Sequence, residues 1–131
     1  MGSLEHFERQ SYVLSEIRRV AKASGRIYIL VPNNDYILHK LGYETDDQPF
    51  VNRYSLTGWT NLLIQSGLMI NRVLRDNSHL SNLTESSSWP KLVLKFLVHP
   101  FVGLIPLRLS YNFIFICQPN VREKSREEKV I

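Results

Sequence analysis

Apolar and polar residues alternate along the chain with the spacing of helices in two segments. Residues 8–23 place apolar side chains at helical spacing and polar ones elsewhere, so we predict a helix that Ser24 and Gly25 end. Residues 57–66 show the same pattern, with Thr57 placed to cap the helix and Gly67 placed to end it. Two amphipathic helices of ordinary length are therefore expected.

Three apolar runs predict strands. Residues 26–31 and 110–117 contain runs without alternation, which are typical of interior strands buried on both faces of a parallel sheet. Residues 69–75 form the third strand. Residues 36–54 and 76–88 are polar and predict connecting loops, and residues 92–97 predict a short helix. The order of helix, strand, helix, strand, insertion and strand favours an α/β layer architecture.

Three strands are too few to give each predicted interior strand a neighbour on both sides. An interior strand needs a neighbour on each side, whereas any three-stranded sheet has two edges, and exposed edges promote association. Two of the three predicted strands are of the interior type. The pattern therefore predicts part of a larger sheet, whose remaining strands either precede Met1 or come from another chain.

The segment that leads into the first strand resembles a known family. Residues 16–26 read Glu-Ile-Arg-Arg-Val-Ala-Lys-Ala-Ser-Gly-Arg, and they precede the run 27–31 and the pair Pro32-Asn33. This resembles class I S-adenosylmethionine-dependent methyltransferases, in which a helix ending in Glu-x-x-Arg-Val-Leu-Lys-Pro-Gly-Gly leads into the fifth strand. In this chain alanine and serine replace the proline and the first glycine of that pattern.

Three further segments resemble the same family in the same order. Residues 4–7, Leu-Glu-His-Phe, resemble the segment after the family's fourth strand. Residues 59–73 resemble its helix and sixth strand, and residues 110–119 resemble its closing antiparallel seventh strand. The resemblance implies an α/β fold that is the C-terminal part of a doubly wound, Rossmann-like methyltransferase sheet. Residues 1–119 would form this partial domain, and residues 120–131 a charged, disordered tail.

The resemblance implies methyl transfer from S-adenosylmethionine to an unidentified acceptor. The family's cofactor site begins with a Gly-rich loop, which lets the backbone approach the cofactor closely. The six glycines of this chain stand at positions 2, 25, 42, 58, 67 and 103, so that no Gly-x-Gly loop exists. We therefore expect this chain to be the C-terminal half of such an enzyme, inactive alone and binding S-adenosylmethionine weakly or not at all.

By position, the resemblance places the cofactor and the reacting groups near the N-terminus. Met1, Gly2 and Ser3 would face the cofactor. Glu5 and His6 would orient or deprotonate the acceptor, since histidine suits proton transfer near neutral pH. The alternative is that Glu5 occupies the first turn of a helix, where its charge complements the dipole, and that His6 is a surface residue.

Candidate acceptor-binding residues come from the loops. Asn33 follows a predicted strand at its carboxyl end, where α/β sheets bind ligands, although an asparagine here also favours a turn. Tyr43 and Tyr54, with Phe50 between them, lie in the long polar connection and could line an acceptor pocket. A small-molecule acceptor is favoured over nucleic acid.

Composition excludes several other classes. The chain has 131 residues, of which 44% are hydrophobic and 21% charged, as in a single globular domain. Cys117 is the sole cysteine, which excludes an intrachain disulfide and favours a reducing, cytoplasmic location. His39, His79 and His99 lack the spacing of metal ligands, so no metal site is predicted. The apolar stretch 92–117 is interrupted too often for a membrane span.

The net charge of +4 is mild. Its densest part is Arg18, Arg19, Lys22 and Arg26, at the end of a predicted helix, where cations complement the helix dipole. A phosphate-binding patch is the alternative. Two other functions stay open: a non-catalytic remnant or interaction module that completes its sheet with a partner chain through the unpaired edge, and a basic binder of nucleic acid or anionic lipid, whose binding would weaken steeply with salt.

Overall fold

A computed structural model describes residues 4–36, 52–76 and 103–120, together with Val93 and Phe101. These ranges contain a mixed α/β arrangement, as predicted. Its elements are a short 3-10 helix Leu4–His6, α1 Gln10–Val20, β1 Ile27–Pro32, α2 Leu56–Gln65, β2 Leu68–Asp76, a 3-10 helix Leu107–Leu109 and β3 Asn112–Pro119. Apart from Val93, the predicted helix 92–97 lies outside the described residues. The loops 37–51 and 77–88 and the tail 121–131 also lie outside them.

The three strands form one sheet in the order β1-β3-β2, and β3 runs antiparallel to both neighbours. Ile29 and Val73 lie opposite Phe115 on its two sides. The prediction of β1 as an interior parallel strand is therefore wrong within the described sheet, where β1 is an antiparallel edge. An apolar run favours burial of the strand as a whole, but it carries no information on strand direction and does not require burial at every position. Tyr28, within that run, is 63% exposed.

The central strand β3 is buried on one face only. Phe113, Phe115 and Cys117 are fully buried, whereas Ile114 and Ile116 between them are half-buried. The burial on both faces that the same run predicts is therefore wrong among the described residues. Successive side chains of a strand point to opposite faces, so the described residues cover one face of the sheet and leave an apolar second face partly open.

Both helices contribute to the core on the covered face. Leu14 of α1 and Trp59 and Leu63 of α2 are fully buried there. They belong to one cluster with apolar side chains of all three strands. The amphipathic pattern of each helix therefore faces the sheet, as its spacing predicted.

Helix α1 is shorter than its apolar spacing predicted. It ends at Val20, because Ala21 is already extended with ψ of 141°. A tight turn follows, in which the N–H of Gly25 donates to the carbonyl of Lys22 at 2.8 Å. Gly25 does not adopt the left-handed conformation that the sequence predicted for it.

Helix α2 begins one residue before the predicted cap. Ser55 is the N-cap residue, and its hydroxyl accepts the N–H of Gly58 at 3.3 Å, a role that the sequence assigned to Thr57. The predicted end is confirmed, since Gly67 has φ of 76°, in the left-handed region. The chain then turns directly into β2.

Candidate functional site

The carboxyl end of β1 brings four of the predicted site residues together. Residues 52–54 lie alongside this end: the N–H of Asn52 donates to the carbonyl of Glu5 at 3.0 Å, and the N–H of Asn34 donates to the carbonyl of Tyr54 at 3.1 Å. The short N-terminal 3-10 helix and the strand end are therefore joined through one segment. The group, here named the carboxyl-end cluster, consists of Glu5, His6, Asn33 and Tyr54.

The acidic and imidazole side chains of the cluster have very different exposure. The side chain of Glu5 is 10% exposed, whereas that of His6 is 45% exposed. Oε1 of Glu5 lies 3.7 Å from Nε2 of His6, which is too long for a hydrogen bond but close enough to stabilise a protonated imidazole. Glu5 lies in the first turn of a helix, as the alternative predicted, but this helix is the three-residue 3-10 helix Leu4–His6, and α1 begins only at Gln10.

The second carboxylate oxygen of Glu5 has no hydrogen-bond partner among the described residues, although it is buried. The turn that carries it is held in place by Gln10, whose Nε2 donates to the carbonyl of Leu4 at 3.1 Å. A buried carboxylate oxygen gains free energy from any donor that reaches it. Oε2 of Glu5 is therefore open to a donor from a bound ligand, while Oε1 faces His6.

Asn33 has a structural role at the strand end. Its Nδ2 donates to the carbonyls of Arg108 and Ser110 at 2.8 and 2.7 Å, and its Oδ1 accepts the N–H of Asp35 at 2.9 Å. The last contact is the turn-forming interaction that the sequence offered as the alternative. Both amide hydrogens are used, and the residue is 1% exposed. Contact with a substrate stays a prediction.

Tyr54 is placed by α2. Its ring packs edge-on against Trp59 with centroids 4.9 Å apart, and Nε1 of Trp59 donates to the carbonyl of Pro32 at 2.8 Å. A Cβ atom on Gly58 would lie 2.8 Å from Cβ of Tyr54, so only glycine fits beneath it. Tyr54 itself is 39% exposed and available to a ligand.

Sequence reasoning missed the residues that position this cluster. Asn52, Ser55 and Gly58 stand in a polar connection or at a helix start, and no period or motif distinguishes them. Of the other predicted site residues, Met1, Gly2, Ser3 and Tyr43 lie outside the described residues. Within the described ranges, no group of three or more histidine, cysteine, aspartate or glutamate side chains could hold a metal ion.

The basic cluster at the end of α1 is partly neutralised. Nη2 and Nε of Arg19 lie 2.9 and 3.0 Å from Oε2 of Glu16, one helical turn earlier. The hydrogen bond and charge of Glu16 raise the pKa of Arg19. This pairing accounts for Arg19 as a helix-surface residue, while a phosphate-binding role for the cluster stays a prediction.

Cys117 lies in the core rather than at the site. It is 0% exposed, and burial raises the pKa of its thiol to about 11. We expect it to react with Ellman's reagent at pH 8 only as fast as the protein unfolds, and immediately in denaturant. Because the folded pKa exceeds the unfolded value of about 8.5, the free energy of unfolding should fall as pH rises from there towards about 11.

Cys117→Ala supplies the control, since it should abolish the thiol-dependent part of that pH dependence. Reaction of the native thiol at the rate seen in denaturant would contradict the buried position.

Comparison with known proteins adds no relative. No family model matches the chain, and a search of curated proteins finds no significant similarity to any of them. None of the helices in the described ranges is long and apolar enough to cross a membrane.

Proposed function

We propose that this chain is the C-terminal portion of an S-adenosylmethionine-dependent methyltransferase and that the carboxyl-end cluster faces the methyl acceptor. The observation that carries the proposal is that residues 52–54 join the turn with Glu5 and His6 to the carboxyl end of β1, where α/β sheets bind ligands. The four resembling segments support it. So does β3, which is antiparallel as the resemblance implies for the closing strand.

Three side chains of the cluster have separate roles at the acceptor. His6 takes a proton from the acceptor, because its imidazole is exposed and carries a nitrogen that can accept a proton. Glu5, 3.7 Å away, stabilises the imidazolium. Tyr54 offers a half-exposed ring and hydroxyl that align the acceptor, and alignment is the main demand of methyl transfer.

The residues present do not form a complete cofactor site. The sequence contains no Gly-x-Gly loop, with which the family's cofactor site begins. In the proposed enzyme another stretch of polypeptide binds the cofactor, and this chain supplies the acceptor side.

Calorimetric titration of the purified chain with S-adenosylmethionine tests this division. We expect no saturable heat of binding, because the backbone groups that approach the cofactor are missing. A chimera then tests the proposal itself. In it the N-terminal half of a characterised class I methyltransferase, including its Gly-rich loop, precedes Leu4, and we expect this protein to bind the cofactor.

The matched control is the same chimera with a loop glycine replaced by valine, which should not bind. Tight binding by the isolated chain would overturn the inferred division of the site. A chimera that folds, judged by near-ultraviolet circular dichroism, but does not bind the cofactor would overturn the methyltransferase proposal.

A second candidate is a non-catalytic module that completes its sheet with another chain. Two observations favour it: β1 is an edge of the described sheet, and the face that carries Ile114 and Ile116 is only half-buried. Such a module should associate in size-exclusion chromatography, whereas a strictly monomeric chain would argue against it.

A further inference from the structure

Two bulky apolar side chains are exposed in the segment that leads into β3. Phe101 is 62% exposed and Leu104 is 74% exposed. Both belong to one turn, in which the N–H of Leu104 donates to the carbonyl of Phe101 at 2.9 Å. A Cβ atom on Gly103, between them, would contact nothing within 4 Å, so the turn faces open space. Phe101 and residues 103–108 are here named the apolar loop.

Contacts on both sides of Leu104 hold the apolar loop in this position. Nη1 of Arg75, on β2, donates to the carbonyls of Gly103 and Ile105 at 2.9 and 2.8 Å. Further along the loop, Leu107 is partly buried and packs against the core. The exposure of Leu104 therefore follows from the way in which β2 and the core fix the backbone around it.

The charged residues of the apolar loop and its anchor are basic. Arg108 belongs to the loop and Arg75 holds it, and both residues are exposed. No described carboxylate forms an ion pair with either guanidinium. The sequence continues this bias, since residues 86–122 contain no aspartate or glutamate, whereas they contain the bases Lys91, Lys95, Arg108 and Arg122. The loop therefore combines exposed apolar side chains with cations.

This combination matches the chemistry of an anionic lipid surface. Neighbouring exposed apolar side chains that are bordered by polar groups mark interaction sites. At a membrane surface the apolar side chains enter the boundary of the acyl chains, while arginine keeps its guanidinium among the headgroups. Anionic headgroups attract such cations. A nucleic acid would bind the cations through its phosphates but would gain nothing from Leu104.

We infer that the apolar loop docks the protein on an anionic lipid membrane. Phe101 and Leu104 enter the lipid, and the guanidinium of Arg108 binds lipid phosphates. The side chain of Asn33 donates to the carbonyl of Arg108 at 2.8 Å, which joins the loop to the carboxyl end of β1. Docking therefore brings this end of the sheet near the membrane. The inference does not depend on the carboxyl-end cluster being catalytic.

Co-sedimentation of the full chain with phospholipid vesicles tests the inference. We expect binding to vesicles of phosphatidylcholine that contain about one third phosphatidylserine, and binding at least about tenfold weaker to phosphatidylcholine alone. Leu104→Ser should weaken binding to the anionic vesicles at least about tenfold, because a leucine side chain no longer leaves water. Absence of binding to anionic vesicles, or binding that Leu104→Ser leaves unchanged, would overturn the inference.

Two variants separate the apolar loop from other surfaces and from effects on folding. Val20→Ser changes an apolar residue that is 70% exposed beside the basic cluster of α1, and it should leave vesicle binding unchanged. Gly103→Leu adds an apolar side chain where a Cβ atom meets open space, so it should strengthen binding, a gain that misfolding does not explain. Equal losses from Val20→Ser and Leu104→Ser would contradict docking through the loop.

The charge contribution is tested at Arg108, whose side chain is exposed. Arg108→Gln should weaken binding to the anionic vesicles about fivefold and leave binding to phosphatidylcholine unchanged. The competing occupant of the loop is a protein surface. A dimer of the chain that Leu104→Ser dissociates, without any binding to vesicles, would overturn the inference and assign the loop to contact with a second copy.

Discussion

Asn33→Asp should lower the free energy of unfolding by about 3–5 kcal/mol at neutral pH. The two amide hydrogens of Asn33 meet the carbonyl oxygens of Arg108 and Ser110 at 2.8 and 2.7 Å. A carboxylate of the same shape would place negative charge against both oxygens in a position that is 1% exposed. Urea titration of the variant and the parent protein measures the difference.

The effect should depend on pH with a defined sign. Burial and the two carbonyls raise the folded pKa of an aspartate at this position above its unfolded value of about 3.9. Below that value the carboxyl is protonated in both states and donates to one carbonyl, so the loss is small. The loss of stability caused by Asn33→Asp grows as pH rises towards the folded pKa of the aspartate. The exposed neighbour offers the control: Asn34→Asp should change stability by less than about 0.5 kcal/mol. Equal losses at both positions would contradict the described role of Asn33.

Trp59→Ala should lower the free energy of unfolding by about 3–5 kcal/mol, the range for removing a large aromatic side chain from a core. Trp59 is fully buried, packs against Tyr54 and donates to the carbonyl of Pro32. Its loss therefore creates a cavity, leaves a carbonyl without its donor and frees the ring of Tyr54. Thermal or urea unfolding followed by circular dichroism gives the magnitude without relying on tryptophan fluorescence.

Two further variants of α2 separate the contributions to this loss of stability. Trp59→Phe keeps most of the ring and removes the N–H, so it should cost about 1–3 kcal/mol, the value of an unsatisfied buried group. Ile64→Ala, at a position that is 56% exposed, should cost much less than Trp59→Ala. If Ile64→Ala were as damaging as Trp59→Ala, the described orientation of α2 would be wrong.

Both substitutions act on the same small region. Asn33 joins the end of β1 to the segment before β3, and Trp59 joins it to α2. Between these two anchors lies Tyr54, the half-exposed tyrosine of the carboxyl-end cluster. The geometry of the proposed acceptor site therefore rests on hydrogen bonds to backbone carbonyls rather than on the candidate catalytic side chains.

Local features of the chain were predictable because they depend on nearest neighbours. The period of apolar residues placed both helices and all three strands to within a few residues, and Gly67 ended α2 as expected. The buried position of Cys117 also followed from its apolar run. The N-cap of α2 was missed by two residues, because Ser55 and Thr57 have equivalent capping chemistry and only the backbone path selects between them.

Strand direction, strand order and the assembly of the site were decided by tertiary structure. An unbroken apolar run is compatible with a parallel interior strand and with the antiparallel edge that β1 forms. Asn33 reaches a carbonyl 77 positions away, and Asn52 reaches Glu5 across 47 positions. The sequence by itself determined which segments become helices and strands and which side chains are apolar enough to bury. Which of these segments contact one another depends on long-range backbone pairing. Such contacts leave no period in the chain, so the pattern of residues could not predict them.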